Sequence, residues 1–504
     1  MFENMVYTLQ YIFASIGPYP FTVLAICVAM LVRWWRRPHG LPPGPRGIPL
    51  LGVIPFMGEF PERVIKKWSL EKYGPIMCAR MGMEDGVFLN TAEAIKMAFC
   101  DKSEHLSGRP RTTIFKQVTK DKGLALKQYG KDYNIIRKFV VRTLSQWGVG
   151  KTMIEDQIVE EAGLLADFLK NKTNQPIELK LYFYVMTSNI IGRVVCGRRH
   201  DFEDEEYHEI LNNIQKVLGE ADDAKLTLLI DFFPGLKHLP WFRGANNRMI
   251  ERVKKTLEYC KGVIEEHKKT FDKNNLRDLI DALLYEQQFG KKSKRKVLLE
   301  DELVVIVRDL FTAGSETSSL MISWVLIMLL HHPEHAKKVI EEIDDVMGPN
   351  GAPSTKHRDR MPFTCAVIQE TFRCKIVAPI GIQHYAQATV ELGGYIIPQG
   401  TMVYSNIWGV HNDPVAWPNP SKFDPYRHIS KDGKFFTSNN IISFSTGPRS
   451  CPGEPLAKME IFLFVTKILQ KFEVKAPPDK LPSLVGVNCL LFSPESCEVI
   501  LTER

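Results

Sequence analysis

The chain has 504 residues, 44% of them hydrophobic and 24% charged, the composition of a globular protein with material for a large core rather than of a disordered or fibrous one. Its 65 basic and 58 acidic residues leave a net charge of +7, too diffuse to imply nucleic acid but compatible with an anionic membrane surface or an acidic protein partner. Ten cysteines stand singly (27, 78, 100, 196, 260, 365, 374, 451, 489, 497), without a C-x-x-C pair, which argues against a zinc site or a dense disulfide framework. Nine of them read as buried thiols in a reducing compartment.

Met5 to Val32 carries no charge and exceeds the roughly 20 residues a spanning helix needs, although Gly17, Pro18 and Pro20 interrupt it. Arg33, Trp34, Trp35, Arg36 and Arg37 follow, the mixture of cations and aromatics that marks a membrane interface and holds a flank cytoplasmic. A cleaved signal peptide would place its cations before the apolar run, so residues 1–37 are expected to form an uncleaved, single-pass transmembrane signal-anchor. Residues 38–52 are rich in proline and read as a stiff linker, leaving 53–504 as the body.

Helices are expected at 61–73 and 91–100 around strands at 75–82 and 86–90, then helical periodicity from about 127 to 300, broken near Pro176, Pro234 and Pro240. Lys291–Lys296 is a charge run of the kind found in solvated loops. Asp301–His331 reads as one helix, about 45 Å long. Short strands with turns follow near 390–403, then a last helix from Pro452 to about Lys471 and strands near 487–501. The fold class is mainly α with small β-sheets.

Three local patterns carry chemistry. In Phe444-Ser-Thr-Gly-Pro-Arg-Ser-Cys451-Pro-Gly-Glu454, a cysteine sits just before an expected helix start, where the dipole and free amides favour its thiolate as nucleophile or metal ligand. A small hydrophobe in a loop is the bland alternative. The centre of the long helix, Ala313-Gly314-Ser315-Glu316-Thr317, breaks an apolar pattern with a glycine that costs about 1 kcal/mol against alanine. Either a ligand lies against the backbone there or another helix crosses closely; Glu316 and Thr317 suit a proton relay. Glu370-x-x-Arg373 pairs opposite charges on one helix face.

Taken together, Pro42-Pro-Gly-Pro45, Ala313–Thr317, Glu370-x-x-Arg373, Phe423-x-Pro425-x-Arg427 and Phe444-x-x-Gly447-x-Arg449-x-Cys451-x-Gly453 resemble the cytochrome P450 family over essentially the whole chain. Trp408–Trp417 and Gly453–Glu460 look like animal microsomal members of its family-2 clan. The resemblance implies the P450 fold behind the anchor, with 53–504 as a haem-thiolate monooxygenase domain. Cys451 would be the thiolate ligand of haem iron, with Gly447 and Phe444 shaping its loop. Arg449, Arg137, Arg109, His384 and Tyr133 would meet the haem propionates. Gly314 and Ala313 would admit dioxygen, while Glu316 and Thr317 deliver protons. Glu370, Arg373 and Arg427 would form a charge network that fixes the cysteine loop. Tyr133 stands where the family usually has tryptophan, and Tyr426 where it has an acid.

The same resemblance places a largely apolar pocket around 112–124, 209–213, 240–244, Val305, Asp309, Ala313, Thr317, Val377–Ile382 and Cys489–Leu491, favouring a lipophilic substrate such as a steroid, fatty acid or xenobiotic. Phe232-Phe-Pro234 and Leu239-Pro-Trp-Phe242 fit either the bilayer or an ordinary core. No dinucleotide fingerprint is present, so electrons from NADPH must arrive through a separate protein, NADPH-cytochrome P450 reductase, with cytochrome b5 as a second donor. Lys131, Arg137, Lys138, Arg142, Lys434 and Lys458 offer such donors a basic face. The expected location is the endoplasmic-reticulum membrane. His331-His-Pro-Glu-His335 lacks the H-E-x-x-H order of zinc proteases, and its proline reads as a helix start. Rival readings are a haem-thiolate isomerase or dehydratase, disfavoured by the intact Glu316-Thr317 pair, and a haem carrier or gas sensor.

Overall fold

The computed structural model describes residues 22–26, 28, 29, 32, 38–110, 114–147, 152–220, 222–478 and 480–504. The expected anchor therefore lies largely outside the described residues; those within it are helical, with Val23, Leu24, Ile26, Val28 and Val32 exposed.

Helical periodicity in the sequence becomes α1 (Lys131–Trp147), α2 (Thr152–Lys170), α3 (Lys180–Cys196), α4 (Asp222–Phe232), α5 (Pro240–Thr270), α6 (Leu279–Phe289), α7 (Glu300–His331), α8 (Pro333–Met347), α9 (Pro362–Cys374) and α10 (Glu454–Lys471). Helix α7 is apolar around most of its circumference, and 78% of its most apolar window is buried within the protein, so its hydropathy reports a core helix. Against α3 it comes unusually close. A Cβ added to Gly314 would lie 2.8 Å from Ile191 Cγ1, and the Thr187 hydroxyl donates to the Ser315 carbonyl at 2.6 Å. Of the two readings open for Gly314, the close helix crossing is the one this packing displays.

The strands are β1 (Ile76–Met81), β2 (Glu84–Leu89), β3 (Pro176–Glu178), β4 (His384–Tyr385), β5 (Val390–Leu392), β6 (Tyr395–Ile397), β7 (Met402–Ser405), β8 (Phe472–Lys475), β9 (Val487–Asn488), β10 (Phe492–Ser493) and β11 (Glu498–Glu503). One sheet runs β1-β2-β7-β4, with β7 parallel to β2 and the other pairs antiparallel; β3-β11-β8 form a second. The β5–β6 hairpin turns through Gly393 and Gly394, both with positive φ (58° and 81°), as a tight two-residue turn of this hand demands.

The proline stretch is not a free spacer. Proline nitrogens cannot donate, but their carbonyls accept, and Pro43 O and Pro45 O take the Cys78 and Arg80 N–H groups at 2.9 and 3.2 Å along the edge of β1. Residues 61–73 divide into a helix Pro61–Trp68 and one wider π turn, Ser69–Tyr73. The last helix begins at Glu454 instead of Pro452, with Pro455 in its first turn. The described cysteines are free thiols, but Cys100 is exposed and Cys374 and Cys489 are half-buried, contrary to the expectation of uniform burial. Ile442 belongs to the apolar core under the sheets and Phe444 packs on the helical core, so the cysteine loop starts where the two meet.

Candidate functional site

The loop that carries Cys451 is held by its own backbone. Cys451 N–H donates to Phe444 O at 2.9 Å, Ser450 N–H to Gly447 O at 3.0 Å and Ser445 N–H to Ile442 O at 2.8 Å. Ser445 and Gly447 both take positive φ (60° and 75°). At Gly447 a Cβ would stand 1.9 Å from Phe99 O, so only glycine lets the loop lie on that neighbouring backbone. The Cys451 residue is exposed, yet desolvation is the largest influence on its thiol; a sulfur on the wall of an internal hollow satisfies both. Burial pushes the thiol up, against backbone N–H groups of Gly453 and Glu454 that favour the thiolate. The amide bonds act in the sense expected of a sulfur just before a helix, burial acts against them, and a bound cation would add to the amides' side.

Four basic side chains converge beside this loop. Arg449 is buried and donates from Nε to Ser107 O (3.0 Å) and from Nη2 to Lys127 O (2.5 Å), with its guanidinium 3.7 Å over the Tyr133 ring. Arg109 donates to Ala125 O (2.9 Å) and Gln383 O (3.0 Å). Arg137 donates to Ser450 O at 2.7 Å and Ser450 Oγ at 3.1 Å, and the Tyr133 hydroxyl donates to Pro448 O at 2.9 Å. His384 Nδ1 donates to Leu106 O at 2.7 Å, and its ring stacks on Phe99 with centroids 3.7 Å apart. Desolvation, then the Arg449 charge, lowers Arg109 to about 9; desolvation lowers Arg449 to about 10, Tyr133 opposing it and Arg137 adding to it. His384 is held well below its ordinary range by burial and by Arg109. No carboxylate is among the causes acting on these three groups; carbonyl oxygens and the tyrosines Tyr133 and Tyr129 compensate them.

On α7, Ala313 is exposed and Thr317, one turn on, is half-buried, while most of their neighbours are buried. The Thr317 hydroxyl donates to Ala313 O at 2.8 Å, and Glu316 is buried. Asp309, expected on the pocket-lining face, has its carboxylate committed elsewhere. Its Oδ2 accepts from Leu124 N–H (2.8 Å) and Ala125 N–H (2.9 Å), while Glu302 accepts from Gly123 N–H (2.8 Å) and Lys127. These two acids clamp the 123–127 segment onto α7. In the 240–244 stretch Trp241 is 78% exposed, while Phe242 and Gly244 are half-buried.

The charge network forms with one member more than expected. Glu370 pairs bidentately with Arg373 (2.7 and 2.8 Å), Arg427 joins it as an ion pair at 3.5 Å, and His428 Nε2 lies nearer, 2.9 Å from Glu370 Oε2. Burial raises the Glu370 carboxyl; the His428 and Arg373 bonds outweigh it, and the net shift is downward. The exposed Tyr426 receives a hydrogen bond from Lys338 and lies at the rim. His428 escaped the sequence reading because a histidine beside a motif arginine has no periodicity or spacing to mark it.

A long buried helix, a thiol on a backbone-held loop, small sheets and a cluster of buried cations are the parts from which a haem-thiolate oxygenase is built. The family model for Cytochrome P450 matches residues 42–499, and the chain belongs to that family. Similar proteins include Cytochrome P450 2C8 of Homo sapiens, 33% identical over 473 residues and covering 91% of this chain and 94% of that protein. Cytochrome P450 2C5 of Oryctolagus cuniculus is 34% identical over 492 residues (95% and 98%), and Cytochrome P450 2U1 of Bos taurus 31% over 512 residues (96% and 93%). The protein is a cytochrome P450 monooxygenase, an oxidoreductase with a haem-thiolate cofactor that uses O2 and NADPH-derived electrons from a redox partner to oxidise lipophilic substrates.

Proposed function

We propose that the enzyme hydroxylates a steroid, fatty acid or xenobiotic at the endoplasmic-reticulum membrane, with Cys451 as haem ligand and NADPH-cytochrome P450 reductase as donor. The observation that carries the site assignment is the cationic hollow. Arg109, Arg449 and His384 are buried, burial first and then neighbouring arginines lower their proton affinity, and no carboxylate is among the causes acting on them. A dianionic group relieves that repulsion, and the two propionates of haem are such a group. The donor set fits as well: a thiol whose ionisation a bound cation would favour, fed by the N–H groups of Gly453 and Glu454, suits an iron centre.

When bound, the haem supplies dioxygen binding and its reductive cleavage. The chain's own residues do the rest. Arg137 pins Ser450 beside the ligand, Tyr133 supports Arg449 from below, and the Phe444 and Gly447 backbones fix the loop. Thr317 holds its proton against Ala313 O and hands it over by rotating its hydroxyl toward the open strip, with Glu316 as the adjoining acid.

The anchor over 1–37, ahead of the catalytic domain at 53–504, keeps that domain on the cytoplasmic side. Leu239 and Trp241, exposed by 50% and 78%, and the exposed Leu50, Leu51 and Phe56 are apolar groups suited to a bilayer surface. Lys131, Lys138 and Arg142 are exposed along α1 and offer the reductase, and cytochrome b5, a basic face. Lys458 is instead paired with Glu454 at 2.7 Å, and Arg137 with Ser450.

A spin-state screen of the purified enzyme against steroids, fatty acids and xenobiotics tests this reading, followed by reductase-dependent NADPH consumption with each binder. Turnover with at least one class supports it. Ligand-independent spectra and no reductase-coupled turnover in any class would favour a haem carrier or sensor.

A further inference from the structure

Among the described residues two clusters bring three histidine or carboxylate ligand atoms within 4.8 Å of one another: His267, Asp278 and Asp281, and His332, Glu334 and His335. The first is fully occupied. His267 Nδ1 bonds Val263 O and Nε2 bonds Asp278, each at 2.8 Å, while Asp281 takes Arg277 at 2.6 and 2.9 Å. It is a helix-capping network in which both ring nitrogens and both carboxylates already have hydrogen-bond partners.

The second differs. His332 and His335 flank the first turn of α8, and the chain's geometry brings their rings to 5.5 Å between centroids with planes 27° apart. His332 Nδ1 lies 3.4 Å and His335 Nε2 3.8 Å from the same oxygen, Glu334 Oε1. Four tetrahedral ligands about 2.0–2.1 Å from a zinc ion stand about 3.3 Å apart, so these separations are those of a ligand set just before closure. The rings are also held from behind. His332 stacks on Phe423 at 5.0 Å, and His335 packs among Phe423, Phe363 and Tyr426 at 5.9, 5.7 and 6.3 Å. His335 Nδ1 is buried without a hydrogen bond, which leaves Nε2 as the ring's one outlet, toward Glu334. The third neighbouring histidine is excluded, because His331 Nε2 is bonded to Pro482 O at 2.7 Å.

We propose that His332, Glu334 and His335 bind one divalent transition-metal cation, with Zn2+ the ion that two imidazoles and a carboxylate suit best and water in the remaining position. The residues that face His335 permit this. Burial lowers its proton affinity, which favours the neutral imidazole a metal requires; the charges of Glu334 and Asp424 raise that affinity but attract a cation, while His332 and Lys338 lower it. Lys338 is itself occupied by the Tyr426 hydroxyl. The bound ion would fix the start of α8 against Phe423 and Tyr426, which flank Pro425 in the segment that leads to the Glu370 network.

Calorimetric titration of the haem-loaded, full-length enzyme with ZnCl2 in a non-chelating buffer at pH 7.5 tests this. One saturable site is expected, weakened about 10-fold or more by Glu334→Gln and at least about 100-fold by His332→Gln with His335→Gln. Binding should also weaken as pH falls, because protons compete with the ion for its ligands. Parental affinity in the double variant would overturn the assignment, as would the absence of a saturable site in the parent enzyme. Should the double variant fail to fold, diethyl pyrocarbonate labelling of the parent decides: Zn2+ should protect His332 and His335, and equal labelling with and without the ion contradicts the site.

Discussion

Glu460 lies on α10, fully buried, with Ser318 of α7 as the group that favours its charged form and with Oε1 making no hydrogen bond. Desolvation pushes its carboxyl from the ordinary 4.5 up to about 8. An acid raised by folding keeps its proton in the native state after the unfolded chain has released it, so stability is lost as pH rises between 4.5 and 8. At pH 7 the gap spans about 2.5 pH units, which corresponds to about 3 kcal/mol at 1.36 kcal/mol per unit. Glu460→Gln keeps the shape and removes the titration. Any constant cost from the new amide is the same at every pH, so the slope is the readout. A chain this long has an unfolding entropy of about 1 kcal/mol/K, and the variant's melting temperature should gain about 3 °C on the parent between pH 5 and pH 7.5. Paired thermal melts at those two values measure it. A difference that stays flat, or shrinks with pH, would refute the reasoning.

Three further outcomes are expected. Thr317→Ala should lower product formed per NADPH consumed several-fold and release peroxide, while haem content and melting temperature stay at parental values; unchanged coupling would remove Thr317 from proton handling. Gly314→Ala drives a methyl to 2.8 Å from Ile191 and should cost about 1–3 kcal/mol, read as a fall of about 1–3 °C in melting and partly recovered by adding Ile191→Ala. Asp309→Ala strips the acceptor from the Leu124 and Ala125 amides, each worth about 1–3 kcal/mol when left buried and unbonded, so hydrogen exchange at 123–125 should accelerate; equal protection would mean the clamp is not made in solution.

Much of the site was legible because its residues are clustered in sequence. Phe444 to Gly453 carries Cys451, the tight turn and one of the arginines within a single loop, and Ala313 to Thr317 lies close together on one helix. The long-range partners were not. Arg449 bonds Ser107 and Lys127 carbonyls, and Arg109 bonds Ala125 and Gln383 carbonyls, groups that every residue possesses and no sequence pattern marks. The role of Gly314 depended on Ile191, more than a hundred positions away, and the commitment of Asp309 on a loop brought in by the fold. The surroundings of the thiol were hidden for a related reason. Position at a helix start is local and readable, whereas the desolvation that opposes it depends on everything packed around the loop.

The most direct measurement is the reduced, carbon-monoxide difference spectrum of Cys451→Ser. The cationic hollow of Arg109, Arg449, Arg137 and His384 is untouched by that change, so the variant should still take up haem but lose the band that marks thiolate ligation. A variant that keeps the parental thiolate band would place the iron ligand on another residue and dismantle the site described around Cys451.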